Sequence, residues 1–281
     1  DINRVRSNTD FPIFDSPEQA IQALSLLHKH HSLVEHRKDA PESRSVDRPA
    51  IQEIIDNALD NGISELTADA VEILKHSGIP VAREIPADSA DSAASAAAEA
   101  GFPVVLKIAS PDILHKTEAG GVALNLENED AVKKAFNEVT KTASDRFPDA
   151  RIQGVTVQRM VQGAREFLLG VNYNEQFGHM IVFGLGGIMV EVVGDITMRA
   201  APLTRYDAES MLEEIKAHKM LGAFRGMQPA NRKKLVDILI RLSSLVTECP
   251  RIRELDINPL LVPQDGEAML AADARMVISS Q

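Results

Sequence analysis

Polar and apolar positions change period several times along the chain, and each change marks an element. At Ser16, Pro17 and Gln19 a capping hydroxyl, a first-turn proline and a glutamine three residues after the cap predict a helix running to about Val34. Residues 37–48, RKDAPESRSVDR, carry no apolar period and read as an exposed linker. Beyond it Ile51, Ile54, Ile55, Ala58 and Leu59 form a helical stripe. A second helix from about Thr67 stops at Gly78, and VAREI (81–85) reads as a strand. An alanine-rich helix follows, with Asp88 as its cap and Gly101 just past its end. The run VVLKIA from Val104, bounded by Pro103, is short enough to be a strand, as is VALNL from Val122; an amphipathic helix spans Asn128 to about Ser144. Helices and strands alternate here, which describes an α/β layout.

From Gly154 the texture shifts. VTVQRMV, REFLLGVNY and HMIVFG are strands separated by short turns, an antiparallel pattern. GLGG (184–187) follows, then IMVEVV and a strand ending at Leu203. GLGG lacks the third glycine of a dinucleotide fingerprint and opens no helix, so a Rossmann site is disfavoured. Helices from about Asp207 to Ala217 and Pro229 to Val246 lead to a closing hairpin, IRELDINPLLV and AMLAADARMVI, joined through Asp265 and Gly266.

The 281 residues are enough for a full core and two domains, and 44% hydrophobic with 25% charged residues is the composition of a globular protein. A formal net charge of -11 opposes non-specific attraction to nucleic acid or anionic membrane, so any phosphate site must be locally basic. Cys249 is the only cysteine, which excludes an intrachain disulfide. No stretch has the length of a membrane span or a signal core, and the expected location is cytoplasmic. The start at Asp1 rather than Met suggests an excised piece.

Candidate chemistry concentrates in VVLKIASPDILHKTEAGGV (104–122). Strand alternation puts Lys107 on the face of Val105 and Ala109, away from Val104, Leu106 and Ile108. Gly120 and Gly121 follow in a loop, where glycine lets backbone N–H groups close around an oxyanion. Lysine and glycines together describe either a phosphate site or an edge-strand lysine reaching water beside a purely geometric turn. On the closing hairpin Asp256 and Asn258 share a face and Asp273 lies on the neighbouring strand, a donor set suited to Mg²⁺; the alternative is polar residues at strand ends bonded to backbone. His28 and His31 lie one helical turn apart, but metal ligands usually come with carboxylate or cysteine company in a closed site, so they read as a solvated face.

Taken in order, VVLKIASPDILHKTEAGGV, REFLLGVNYNEQFGHMIVFGLGGIMVE and ELDINPLLV followed by AADAR resemble the nucleotide-binding part of the ADP-forming acyl-CoA synthetases. These are ATP-grasp proteins related to the β subunit of succinyl-CoA synthetase. The resemblance covers about Ile51 to Ile278, and Phe11 to about Leu33 resembles the closing segment of the CoA-ligase half that precedes this region in fused members. It implies an α+β ATP-grasp fold: a remnant of the CoA-ligase domain at 1–38, a linker at 39–50, and an ATP-grasp domain at 51–281 with subdomains at about 51–153 and 154–281.

Position by position, the resemblance implies that Lys107 contacts ATP phosphates beneath Gly120 and Gly121. Gln158, Met160 and Val161 fall on the hinge strand whose backbone meets adenine, and Glu166 on a nucleotide-binding glutamate. Gln158 departs from the glutamate of several relatives. Asn258 and Asp273 match two magnesium ligands, His115 a histidine that relays the phosphoryl group, and Asp256 the acid that steadies it. Such a carboxylate would hold the histidine tautomer and then stabilise its cation. The cofactors implied are ATP or ADP and Mg²⁺; the partner implied is a CoA-ligase, α-like, domain or subunit, within an oligomer. Two rivals are a ligand-sensing region of a protein lysine acetyltransferase and another ATP-grasp ligase working through an acyl-phosphate without a histidine relay. Sensing regions often lose metal or glycine residues, whereas DINPLLV, AADAR and AGGV are whole here.

Overall fold

In the computed structural model the described residues are 12–36, 39–113, 116, 119–187, 194–223, 225–266 and 268–280. His115 and the IMVEVV run at 188–193 lie outside them. The chain divides into an N-terminal unit, Asp1–Pro41, and a main unit, Glu42–Gln281. In the first, helix α1 (Pro17–His36) has the expected Ser16 cap, with Gln19 N–H donating to Ser16 Oγ at 3.3 Å, while the Gln19 side chain reaches one residue further back and accepts the Asp15 N–H at 3.1 Å. His28, His30 and His31 are exposed, as are Ile21, Leu24, Leu26 and Leu27.

The linker is less free than its sequence suggests. Glu42 N–H donates to Leu203 O at 3.0 Å, and Arg44 N–H to Ser244 Oγ at 2.9 Å. The Arg44 guanidinium meets Asp237 at 2.6 Å. A polar segment without periodicity thus lies along the main unit through hydrogen bonds, which apolar patterning does not report. Helices α2 (Arg48–Asp60) and α3 (Ala68–His76) follow, with strand β1 (Glu65–Leu66) between them.

The smaller sheet has the order β2 (Glu84–Ala87), β5 (Gly154–Arg159), β3 (Val104–Ala109), β4 (Val122–Leu126), with every neighbouring pair antiparallel. Helix and strand do alternate, but β5 inserts between β2 and β3, so the two parallel strands never touch. Helices α4 (Ala90–Ala100) and α5 (Glu129–Arg146) cover one face, burying Val104, Leu106 and Ile108 against Ala93, Ala97, Val132 and Val139. Two local expectations shift. Ser89 rather than Asp88 caps α4, in a reciprocal box with Ser92. The strand at 81–85 begins at Glu84 instead, because Val81 bridges Ala271 and Ala82 N–H donates to Ala271 O at 2.9 Å, which ties that end to the other sheet.

The larger sheet runs β1, β11 (Arg275–Ile278), β9 (Ile252–Val262), β6 (Arg165–Asn174), β7 (Gly178–Leu185), β8 (Ile196–Ala200), with β10 (Leu270–Ala271) also on β9. Phe167, Leu169, Ile181, Phe183, Leu255 and Ile257 fill its core face beneath α2, α3, α6 (Arg205–Glu214) and α7 (Arg232–Glu248). The helix expected over 207–217 ends at Glu214. Buried Asp195 accepts the N–H groups of Lys216 and Ala217, both at 2.7 Å, and turns the chain into a 3₁₀ segment, Lys216–Leu221. The Arg165 guanidinium holds that segment's far end through Met220 O (2.8 Å), Gly222 O (3.1 Å) and Gln228 O (2.9 Å). The strand before α6 ends at Ala200 rather than Leu203, and α7 is displaced to Arg232–Glu248 by its Asn231 cap. No helix among the described residues is long and apolar enough to cross a membrane.

Candidate active site

Strand register sets the first half of the site. On β3, Lys107 lies beside Val122 of β4 and Thr156 of β5, so it sits on an interior strand and only 7% of it is exposed. The edge-strand alternative is therefore overturned. Lys107 points to the face the helices leave uncovered, where a buried ammonium needs acceptors. It finds two: Glu84 Oε1 at 2.9 Å, from β2, and Ala272 O at 2.6 Å, from the turn between β10 and β11 of the larger sheet. Lysine and turn thus join the two sheets. Glu84 is a site residue that sequence reasoning missed; its one signal is a carboxylate on a strand near a lysine that needs a partner.

One row along the same face, Gln158 lies opposite both Val105 and Glu84. Gln158 is 3% exposed, and its Oε1 has no hydrogen-bond partner among the described residues. An unpaired buried acceptor is costly, so this oxygen is a candidate ligand contact. A cleft of about 630 Å³ adjoins it, lined by Ile85, Phe102, Met160, Val161, Pro263 and Leu270 as well as Gln158. Both sheets contribute walls, and the lining mixes these apolar side chains with Arg83, Glu99, Arg159, Gln162 and Asp265, so it offers a flat heterocycle both apolar faces and polar edges. The Met160 N–H is already donated to Pro103 O at 2.9 Å, so an adenine contact expected from Met160 falls to its carbonyl.

The two glycines of the loop differ in what their backbone does. Gly120 has φ +69°, where glycine avoids the Cβ clash. A Cβ on Gly121 would come within 2.5 Å of Ile108 Cγ2, and its N–H donates to Lys116 O at 2.7 Å. In this conformation the Gly121 N–H closes the loop itself rather than facing an anion. The loop's entry is pinned by Asp112, which takes the Arg151 N–H at 2.8 Å and its guanidinium at 2.9 and 3.0 Å; that arginine holds the Asp112 pKa down to about 2.

The second half lies on the larger sheet. Leu255 and Ile257 of β9 face the core, so Asp256 and Asn258 share the opposite face, as alternation requires. Arg275 pairs with Asp256, and Ala272 N–H donates to Pro259 O at 3.0 Å; the same register carries Asp273 opposite Asn258. Asn258 Oδ1 accepts the Gly187 N–H at 3.3 Å. Asp273 Oδ1 lies 3.6 Å from the Lys116 ammonium, a contact sequence reasoning did not anticipate. Asp256 keeps solvent contact, yet enough protein surrounds it that desolvation raises its pKa; Arg275 opposes the shift and Asp273 adds to it. Glu166 is exposed on β6, and its backbone carbonyl takes the Gly186 N–H at 2.9 Å. Among the described residues no three histidine, cysteine or carboxylate groups cluster as a metal site. The donor set is one carboxylate and one amide oxygen, which fits a hard cation that fills its other positions with water and phosphate.

Residues 57–278 of the chain match a family model described as ATP-grasp domain. The chain belongs to the ATP-grasp family. Relatives narrow the branch. Acetate–CoA ligase [ADP-forming] I of Archaeoglobus fulgidus is 38% identical over 99% of this chain and 40% of its own length. The corresponding β subunit from Pyrococcus furiosus is 41% identical over 81% of this chain and 97% of its own length. The chain therefore spans two fifths of the first relative and nearly all of the second. Among solved structures, Ca. Korarchaeum cryptofilum dinucleotide forming acetyl-coenzyme A synthetase 1 matches in complex with coenzyme A, Ca-AMPCP and HgCl+. There the TM-score is 0.76, with 38% identity over 81% of this ATP-grasp chain and 99% of that one. The same synthetase with coenzyme A and Mg-AMPPCP, its phosphohistidine segment pointing towards the nucleotide binding site, matches with TM-score 0.69 and 35% identity over 82% and 100%. This ATP-grasp chain accordingly corresponds in extent to the β subunit of an ADP-forming acetate–CoA ligase.

Proposed function

We propose that this chain binds Mg·ATP and Mg·ADP for an ADP-forming acid–CoA ligase and passes a phosphoryl group between nucleotide and His115. The observation that carries the reading is the hydrogen bond from Lys107 to Ala272 O at 2.6 Å, because it sets a buried lysine beside Asp273, a carboxylate suited to a metal. Lys107 takes the phosphates, with Gly120 and Gly121 lining their loop. Adenine enters the cleft against Gln158, Met160 and Val161, while Glu166 contacts the nucleotide from β6. Asn258 and Asp273 hold Mg²⁺, which when bound neutralises phosphate charge. In the transfer the bond between the γ-phosphorus and its bridging oxygen breaks, a P–N bond to His115 forms, and ADP leaves. Asp256 orients the imidazole and stabilises its cation.

Residues 1–38 read as the closing segment of a CoA-ligase half, 39–50 as a linker and 51–281 as the ATP-grasp domain, divided near 153. Supporting this, the A. fulgidus ligase aligns over 99% of the chain, whereas the separate P. furiosus β subunit aligns over 81%. The partner implied is an α-like CoA-ligase domain, which the acyl-CoA step requires.

Incubation with γ-labelled ATP and Mg²⁺ is expected to give protein-bound label that is lost in acid and survives base. The label should be absent from His115→Ala and reduced in Asp256→Asn. Persistence of label in His115→Ala contradicts the relay, as does absence of label both alone and with a CoA-ligase half added in trans.

A further inference from the structure

The two groups through which this chain would hold Mg·nucleotide already have partners of opposite charge within the protein. Lys107, nine-tenths buried, is paired with the Glu84 carboxylate at 2.9 Å. Asp273 is paired with the Lys116 ammonium at 3.6 Å, and Lys116 itself is largely covered. Both lysines come from the smaller sheet and its loop. They meet consecutive residues of the larger one, since Lys107 also donates to Ala272 O at 2.6 Å. Four charges, two of each sign, therefore converge and cancel.

We propose that Glu84 and Lys116 are internal stand-ins for the ligand, Glu84 for a phosphate at Lys107 and Lys116 for the metal ion at Asp273. The proposal rests on the reading that Lys107 meets phosphate and Asp273 meets metal. A buried ammonium left alone in the empty site would be costly, and Glu84 removes that cost. The same carboxylate competes with an incoming phosphate for the lysine's three N–H donors and repels its charge. Lys116 likewise screens Asp273 in the empty state and must leave before a divalent cation can approach the same oxygens. Phosphate alone frees Glu84 but leaves Lys116 on Asp273; metal alone displaces Lys116 with no phosphate to receive it. Bound together, each ligand accepts what the other releases: phosphate can take both lysines, and the metal takes Asp273. Nucleotide and metal binding are thus coupled through this chain's own side chains, and the coupling is reciprocal.

The two stand-ins carry opposite charge, so their removal gives different signatures, read by titration calorimetry of the full chain with ADP, first in chelator and then across a magnesium series. Glu84→Gln is expected to tighten metal-free ADP roughly tenfold, the equivalent of about 1.4 kcal/mol. Glu84→Asp, which keeps the charge, should remain near wild type. Lys116→Met should leave metal-free ADP unchanged or weaker and lower the Mg²⁺ concentration for half-maximal coupling roughly fivefold. Unchanged or weaker metal-free ADP binding in Glu84→Gln overturns the proposal, as does an unchanged or higher Mg²⁺ requirement in Lys116→Met. Lys107→Met in the same titration separates the two levels. If it does not weaken ADP, the phosphate reading has failed and the stand-ins fall with it. If it does and Glu84→Gln brings no gain, only the stand-in role is lost.

Discussion

Lys107→Met is expected to weaken Mg·ADP binding roughly 10- to 150-fold while the chain remains folded. The magnitude follows from the loss of hydrogen bonds between an ammonium and phosphate, worth about 1.5–3 kcal/mol, with each 1.4 kcal/mol a factor of ten. Methionine fills the space of the lysine stem, and Glu84, whose side chain is 24% exposed, keeps access to water when its partner is removed. Stability should therefore change far less than affinity. Asn258→Ala and Asp273→Ala should behave otherwise: the magnesium dependence is lost in both, while binding in chelator stays close to wild type in Asn258→Ala and is no weaker in Asp273→Ala, which releases Lys116 toward the phosphates. Calorimetric titration distinguishes the two patterns. Wild-type affinity in Lys107→Met would place the phosphates elsewhere.

Gly186→Ala is expected to lower stability strongly. A Cβ at Gly186 would stand 2.6 Å from the carbonyl carbon of Phe167 and 2.8 Å from that of Glu166. Both atoms belong to the backbone of β6, paired on one side with β7 and on the other with β9, so neither can yield as a flexible side chain would. Overpacking of this kind costs about 3 kcal/mol, which for a unit of this size lowers Tm by roughly 6–12 °C. Gly222→Ala is the contrast, because its added carbon would meet only Lys219 O at 3.3 Å. Equal melting temperatures for the two variants would contradict the packing account. Since β6 also carries Glu166, residual folded Gly186→Ala should bind nucleotide more weakly.

These two residues show what a sequence discloses and what it withholds. Lys107 was legible because a charge inside an apolar run of strand length has few places to go. Asp256 and Asn258 were legible because alternation puts residues two apart on one face, and β9 obeys it. The partners were not, because periodicity reports how a segment is buried and says nothing of what lies across the sheet. Glu84 reaches Lys107 across β5, which inserts between β2 and β3, an arrangement set by tertiary pairing. Lys116 was noted in its loop, but its approach to Asp273 crosses from one sheet to the other. The GLGG glycines lack the spacing of a dinucleotide site, which the sequence alone discloses. The requirement at Gly186, room for the β6 backbone, needs the fold to be seen. Gly121 gives the opposite lesson: glycine was expected there to present an N–H to an anion, and that N–H closes its own loop on Lys116 O. Helix ends moved for a similar reason, as buried Asp195 stops α6 from a position no local rule could name.

The central claim is that the junction of the two sheets, at Lys107 and Asp273, is a nucleotide site. Thermal unfolding of the wild-type chain with and without Mg·ADP tests it most directly, because a ligand that binds only the folded state raises its stability by mass action. At a hundredfold excess over the dissociation constant the gain is about 2.7 kcal/mol, an upward shift of roughly 5–11 °C in Tm. The account predicts that shift, smaller with ADP in chelator and largely lost in Lys107→Met. A folded protein whose melting temperature does not move at millimolar Mg·ADP would contradict it.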